Sequence, residues 1–433
     1  MKKINFIVFG LAITLNALAQ QRLTLQNAVN TALQYSYNIQ LLKNTLEINT
    51  INNNIGIAGG LPTVAATVND NEQLTNINQK FSDASRNAQQ SGVTANIISA
   101  NVTGSMLLFN GYRVVATKKR LEQIQQQSNS LLQLQIQNTI ASVITKYYDV
   151  VRQQSYLKTL LQSTEVSKQR LSIIQSRKDV GLSNNADLFQ AQLDVNALAQ
   201  QQVAQQLVID LAKTDLLNLL SAKPDSAIII NDTIVVNNNI SLDNIKVAIK
   251  NNPQILAAQQ QITINELIEK ETAALRYPTV RANTGFNFNN NKTAGGFTLL
   301  NQSYGPFIGV NLAIPIYSGG TVKRQEKIAN INTTSATTQR DILLLNFEAN
   351  AVRSYKAYTN TLQQLKTEKE NYDLSVKLLD LVLQRFQLGQ ATIIDVKLAQ
   401  QTFENEGYRL INLSYAAKAA EISLQQIANQ LVF

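Results

Sequence analysis

The 433-residue sequence predicts a mainly α-helical chain with a β part, written twice. Two observations point there. The stretch from Gly111 to Gly181 holds no internal Gly and no Pro, and an interval of identical length separates Gly319 from Gly389. Between these stretches the hydrophobic period switches from helical to alternating, as a strand with one apolar face requires.

The duplication is read from markers. Leu61-Pro62-Thr63-Val64 corresponds to Tyr277-Pro278-Thr279-Val280 further along the chain. Phe109-Asn110-Gly111 corresponds to Tyr317-Ser318-Gly319, and Val180-Gly181-Leu182 to Leu388-Gly389-Gln390, the two pairs sharing one offset. Equal spacing over such lengths marks a repeated unit whose helical part tolerates no length change. The Pro62 and Pro278 pair is offset slightly more, and that difference falls between the Pro and the first Gly, where a loop absorbs it.

Composition removes whole classes of function. There is no His, Cys or Trp, so the usual imidazole base, thiol nucleophile, zinc site and disulfide are all absent. No catalytic, metal or cofactor site is expected. The formal charge is +9, of which Lys2 and Lys3 supply two, and no run of five like charges occurs, so no nucleic-acid partner is expected either. Charged residues make up only 15% while Asn and Gln reach roughly a fifth, which with the regular apolar period predicts ordered helices with uncharged polar faces.

At the N-terminus Lys2 and Lys3 precede the apolar run Ile4 to Leu15, and Ala17-Leu18-Ala19 gives the small-x-small pattern of a signal-peptide cleavage site. Residues 1–19 are therefore expected to be removed. Fewer than about 18 apolar residues precede Gln20-Gln21-Arg22, too short a run to span a ~30 Å hydrocarbon core. No later stretch could be a membrane helix, so any membrane insertion would use strands.

The first repeat is expected to span residues 20–221, with a strand pair at about 62–109, and the second residues 241–433, with a strand pair at about 278–317. Residues 222–240 form a linker between them. Even positions from Ile98 to Leu108 are apolar but for Gly104, and Val280, Ala282, Phe286 and Phe288 form a similar row, as do Ile308 to Ile316. Polar loops are expected near 69–93 and 289–303. Strands of about 9–11 residues fit a transmembrane barrel or one face of a soluble sandwich equally well. Four strands cannot close a membrane barrel, since the smallest have about eight, so the membrane reading requires an oligomer. The stretch from Gly111 to Gly181 would reach ~105 Å as one helix. Its narrow stripe of Ile136, Ile140, Val143, Tyr147 and Val150 suits coiled-coil packing. Return helices are expected to Ser221 and, in the linked half, from Ser241 to Arg276.

At both turns an Arg lies four positions before the Gly and an Asp six after it: Arg177, Gly181 and Asp187, then Arg385, Gly389 and Asp395. Gly suits the positive φ at a helix end. Asp187 and Asp395 each stand three positions after Asn184 and Thr392, the spacing of a helix cap with a carboxylate in the first turn. Gathered around an axis, the same Asp residues would instead form a ring that favours cations.

The export signal, the duplicated helix, the Leu-Pro and Tyr-Pro lead-ins and the paired Gly turns followed by Asp resemble the TolC family of outer-membrane efflux proteins, over essentially the whole mature chain. That resemblance implies a homotrimer in which four strands per chain close a 12-stranded barrel in the outer-membrane lipid, continuous with a helical tunnel through the periplasm. It implies contact between the tunnel tips and a periplasmic adaptor protein of an inner-membrane pump. By position, Arg177, Val180, Gly181, Leu182, Arg385, Leu388 and Gly389 are the adaptor-docking candidates, and Asp395 with Asp187 the gate. A second acidic position of some members is Leu398 here, and a basic gate position is Ala391. The expected function is a passive exit duct for efflux or type I secretion. The alternative is an exported coiled-coil adhesin or scaffold without a pore.

Overall fold

The computed structural model describes residues 21–296 and 298–431, so the expected signal segment 1–19 lies outside the described residues. In chain order the elements are β1 Gln21–Arg22, α1 Leu25–Tyr35, α2 Tyr37–Asn52, β2 Thr63–Gln79, β3 Ala88–Phe109, α3 Arg113–Asp179, α4 Asn185–Leu219, β4 Ile228–Ile229, α5 Leu242–Ala248, α6 Pro253–Ala273, β5 Thr279–Thr293, β6 Leu300–Ala313, α7 Thr321–Gln387 and α8 Ile393–Ile427. Helices α3 and α7 are both 67 residues long, and α4 and α8 both 35, each pair standing at the offset that separates Gly181 from Gly389.

The chain divides into two units. One comprises residues up to Gln40, Gln135–Ile249 and the chain from Glu348 on. Its main core gathers Val29 and Ala32 of α1, Val143, Tyr147 and Val150 of α3, Leu216 of α4 and Ile230. Buried residues along α3 fall at Ile140, Ile144, Tyr147 and Val151, the alternating four-and-three spacing of a coiled-coil seam. The segment expected as a linker is held firmly here. Strands β1 and β4 pair in parallel, Tyr147 donates to the Leu23 carbonyl and to Asp232, and Tyr358 donates to the Asn237 carbonyl while the Asn237 amide donates to Glu421.

The other unit, residues 41–134 and 250–347, carries an antiparallel sheet in the order β2-β3-β5-β6. Its strands of 17, 22, 15 and 14 residues correct the shorter ones expected. Most of 69–93 is strand rather than loop, because β2 and β3 pair from Thr63 and Ser105 out to Gln79 and Ala88 through Asn, Gln and Thr. Backbone pairing continues where the side-chain alternation has ended. At the other end β6 stops at Ala313, short of the expected 317, since Pro315 has no N–H to donate to a ladder.

The expected helix from Ser241 to Arg276 is also broken. A short 3₁₀ turn covers Ile249–Asn251, and Asn252, extended at φ −65° and ψ 131°, caps α6 with Pro253 in its first turn. A residue before Pro is pushed out of the helical region, while Pro itself suits the start of a helix. Ser36 separates α1 from α2 at the matching place, as far before Asn252 as Pro62 is before Pro278, so the repeat includes its kink.

Candidate functional site

Both helix turns have the same backbone construction. Gly181 has φ +79° and Gly389 φ +76°, the left-handed conformation that only Gly adopts without steric cost. Around the first, the Leu182 amide donates to the Arg177 carbonyl at 2.7 Å and the Gly181 amide to Lys178 at 2.9 Å. Around the second, Gln390 donates to Arg385 at 2.8 Å and Gly389 to Phe386 at 3.1 Å. These paired bonds satisfy carbonyls that a helix end otherwise leaves open.

The side chains divide the predicted site. Arg177 is half-buried, its guanidinium 4.5 Å from the centre of the Phe386 ring and donating to the Phe386 carbonyl. It ties the first turn to the second. Phe386 in turn is fully buried with Ile174, Ala191 and Val396. Arg385 is exposed, its nearest partner the Gln390 carbonyl at 3.4 Å. Val180, Leu182 and Leu388 are exposed, as are Ile394 and Leu398 just beyond them. Five large apolar side chains on two adjoining turns make a patch that burial within this chain leaves uncovered.

Asp395 completes a capping box: its carboxylate accepts from the Thr392 amide and hydroxyl, both at 2.8 Å, and its own amide donates to the Thr392 hydroxyl at 3.2 Å. Those Thr392 bonds, with the positive charge of Arg385 adding to them, hold its carboxyl below the usual carboxylate range. Asp187 is bound more loosely. Its amide donates to the Asn184 cap at 2.8 Å, and its carboxylate accepts only from Ser183, at 3.3 Å.

A second feature comes from strand register. On one face Val68, Ala100, Phe288 and Tyr304 lie in one cross-strand row, followed by Ala66, Val102, Phe286 and Pro306, then Val64, Gly104, Thr284 and Ile308. The band ends in Val280 beside Leu312, with Phe109 alongside and Tyr112 edge-on to it at 5.7 Å. Val280 to Phe288 covers about 27 Å of strand, close to the ~25 Å apolar band of a tilted membrane strand. Beyond it the rows become Asp70, Ile98, Asn290 and Gln302. The opposite face carries Asn101, Thr103 and Ser105 on β3, Asn283, Asn287 and Asn289 on β5, and Asn301, Ser303 and Asn311 on β6. Arg281 is the charged residue among the paired positions of that face. No helix among the described residues is long and apolar enough to cross a membrane.

Sequence reasoning missed a buried polar network behind the turns. Arg170 of α3, 1% exposed, pairs with Asp194 of α4, which also accepts from Lys397 of α8 at 3.1 Å. Nearby Gln400 donates to the Ser163 and Ser167 hydroxyls, and Ser163 donates to Glu404. No sequence signal marked it, because the spacing of Ile140, Ile144, Tyr147 and Val151, carried on along α3, passes Lys168 and Ser172 and misses Arg170.

The family model for outer membrane efflux proteins matches residues 244–430. The outer membrane protein TolC of Vibrio cholerae is 24% identical over 316 residues, 68% of each chain. TolC of Escherichia coli is 22% identical over 358 residues, 77% of this chain and 69% of that one. Among solved structures, the outer membrane protein VceC from Vibrio cholerae superposes with a TM-score of 0.75 at 15% identity, covering 94% of this chain and 96% of that one. The CmeC outer membrane channel of Campylobacter jejuni gives 0.76 at 16% identity, covering 94% and 87%. These two likenesses extend the fold over nearly the whole chain, and the sequence matches carry the relationship. Residues 244–430 thus match the family of outer membrane efflux proteins, the chain is similar to TolC-type proteins over two thirds of its length or more, and it is a protein of the bacterial outer membrane that reaches into the periplasm.

Proposed function

We propose that three copies of this chain assemble into a passive exit duct, their twelve strands closing one barrel in the outer membrane and their helices forming a periplasmic tunnel. The observation that carries this reading is the sheet. Four strands with β2 and β6 at open edges, one apolar face and one almost uncharged polar face are a fragment of a barrel wall. With the apolar face to lipid, the Asn, Ser and Thr face lines a wet lumen that hydrates a solute without holding it tightly. Exposed Phe189, Leu193, Val203 and Leu207 on α4 supply further surface for neighbouring copies.

In this reading residues 1–19 are removed on export, residues 20–221 and 241–433 are the two repeats, and 222–240 joins them. An inner-membrane pump supplies the energy through a periplasmic adaptor, which seats on Val180, Leu182, Arg385 and Leu388. Gly181 and Gly389 shape the turns, and Arg177 holds them together. Asp395 and Asp187 from three copies gather near the constriction. Drugs, metal ions and polypeptides remain equal candidates for cargo, in efflux or in type I secretion.

The test is the detergent-corrected native mass of the mature protein, with its solubility after detergent removal. A trimer that precipitates without detergent is expected. A stable monomer or dimer in plain buffer would replace the duct with an exported coiled-coil scaffold.

A further inference from the structure

The equal lengths of the two hairpins allow position-by-position comparison at the offset of the two turn glycines. Leu160 of α3 and Leu198 of α4 are both buried, at 4% and 7% exposure. Their counterparts are Glu368 of α7, also 4% exposed, and Glu406 of α8. An apolar pair in the first hairpin has become a pair of carboxyl groups in the second. Such an exchange is costly unless the charge is removed or paired.

Charge pairing is incomplete. Arg409, itself largely exposed, has Nη1 3.8 Å from Glu368 and 3.6 Å from Glu406, too far for hydrogen bonds. Glu368 Oε1 and Glu406 Oε2 are buried with no protein donor. Two ionised carboxylates only accept, so neither can satisfy the other. One proton placed between them satisfies both.

We propose that Glu368 and Glu406 form a proton-holding clamp between α7 and α8, gripping while the pair keeps one proton and loosening when it is lost. The charged groups acting on Glu368 are Glu406 and Arg409 of α8. On its own helix Lys366, Lys369 and Glu370 are exposed, and Tyr372 lies one turn on, held neutral by burial. From α3, Thr159 packs on Gly407 and Tyr156 stacks edge-on against Tyr408, while Lys158 is exposed. Burial, with the hydrogen bond that the protonated acid would make to Glu406 next, pushes the Glu368 carboxyl up to about 7. A carboxyl raised in the folded state stabilises fully below its unfolded value of 4.5, and that contribution is lost as pH rises through about 7. The inference concerns one chain's hairpin and does not require the duct.

The test compares the mature full-length protein with Glu368→Gln, whose amide donates to Glu406 as the protonated acid does but cannot titrate. Hydrogen exchange of the α7 and α8 amides is followed from pH 5 to 8, corrected for the intrinsic pH dependence of exchange. The two proteins should match at pH 5, and by pH 8 the native hairpin should open more readily by tens of fold to about a hundredfold. A protonated-carboxyl infrared band that titrates near neutral pH and is missing in Glu368→Gln should accompany the change. The double variant Glu368→Leu with Glu406→Leu restores the first hairpin's chemistry, and should also be flat with pH. Parallel exchange profiles for all three proteins, or no titrating band, would overturn the clamp.

Discussion

The first and second hairpins have the same lengths to the residue and opposite chemistry inside them. At one offset Leu160 and Leu198 face Glu368 and Glu406, and in the reverse sense buried Arg170 corresponds to Leu378, which is 45% exposed. Each hairpin has taken a polar group into a place where its copy is apolar or solvated. The two hairpins thus share what sets the path of the chain, namely Gly at the turns and helix length, while their side-chain contents differ. What diverges is what distinguishes one hairpin's neighbours from the other's.

The largest test of that difference is at Arg170. Arg170→Met leaves Asp194 with Lys397 and Gln190 alone and removes a buried cation, so a loss of about 3 kcal/mol is expected. The matching Leu378→Met should change stability by less than about 0.5 kcal/mol. Chemical unfolding of both variants measures the contrast. Adding Asp194→Leu to Arg170→Met should recover most of the loss, because an apolar pair needs no counter-charge. If Arg170→Met proved neutral by itself, the network would be incidental to packing.

Much of the fold was legible because it is encoded in residues that admit one conformation. Gly181 and Gly389 require left-handed backbone, and Pro62 and Pro278 precede strands, so their spacing reported the repeat directly. The outer half of β2 was not legible. Asn69 to Gln79 carries little alternation, and its pairing with β3 is a long-range backbone event that local pattern does not record. The kink at Asn252-Pro253 had a visible signal that a continuous apolar period outweighed. At the turns, the sequence could not tell Arg177 from Arg385, since only tertiary packing places a Phe386 ring beneath one of them.

That distinction gives the next contrast. Arg177→Ala removes a cation-ring contact and a hydrogen bond to the Phe386 carbonyl, at an expected cost of about 1–2 kcal/mol, and loosens the second turn. Arg385→Ala should leave stability nearly unchanged while weakening adaptor binding in a pull-down or surface-capture assay. Loss of binding with Arg177→Ala and full binding with Arg385→Ala would assign docking to the shape of the turns rather than to their charge.

The smallest effects separate the two Asp residues. Thr392→Ala should cost about 1 kcal/mol by opening the reciprocal cap, and Asn184→Ala a similar amount by removing the simpler one. Asp395→Asn keeps an acceptor for the Thr392 amide and loses only charge, so the turn should persist with slight fraying, visible as faster amide exchange at residues 393–396. Because its carboxyl is held below the ordinary range, the contribution of that charge is present above the unfolded value of 3.8 and disappears as pH falls through the still lower folded one. A carboxylate that both caps a helix and lines a pore should therefore show two separable losses. In reconstituted bilayers Asp395→Asn should reduce cation preference at neutral pH, and Asp187→Asn should do so less if the second repeat lies nearer the axis. Unchanged selectivity in Asp395→Asn, with the fraying still present, would leave Asp395 as a cap alone, and the uncharged Asn face of the sheet as the surface that determines what passes.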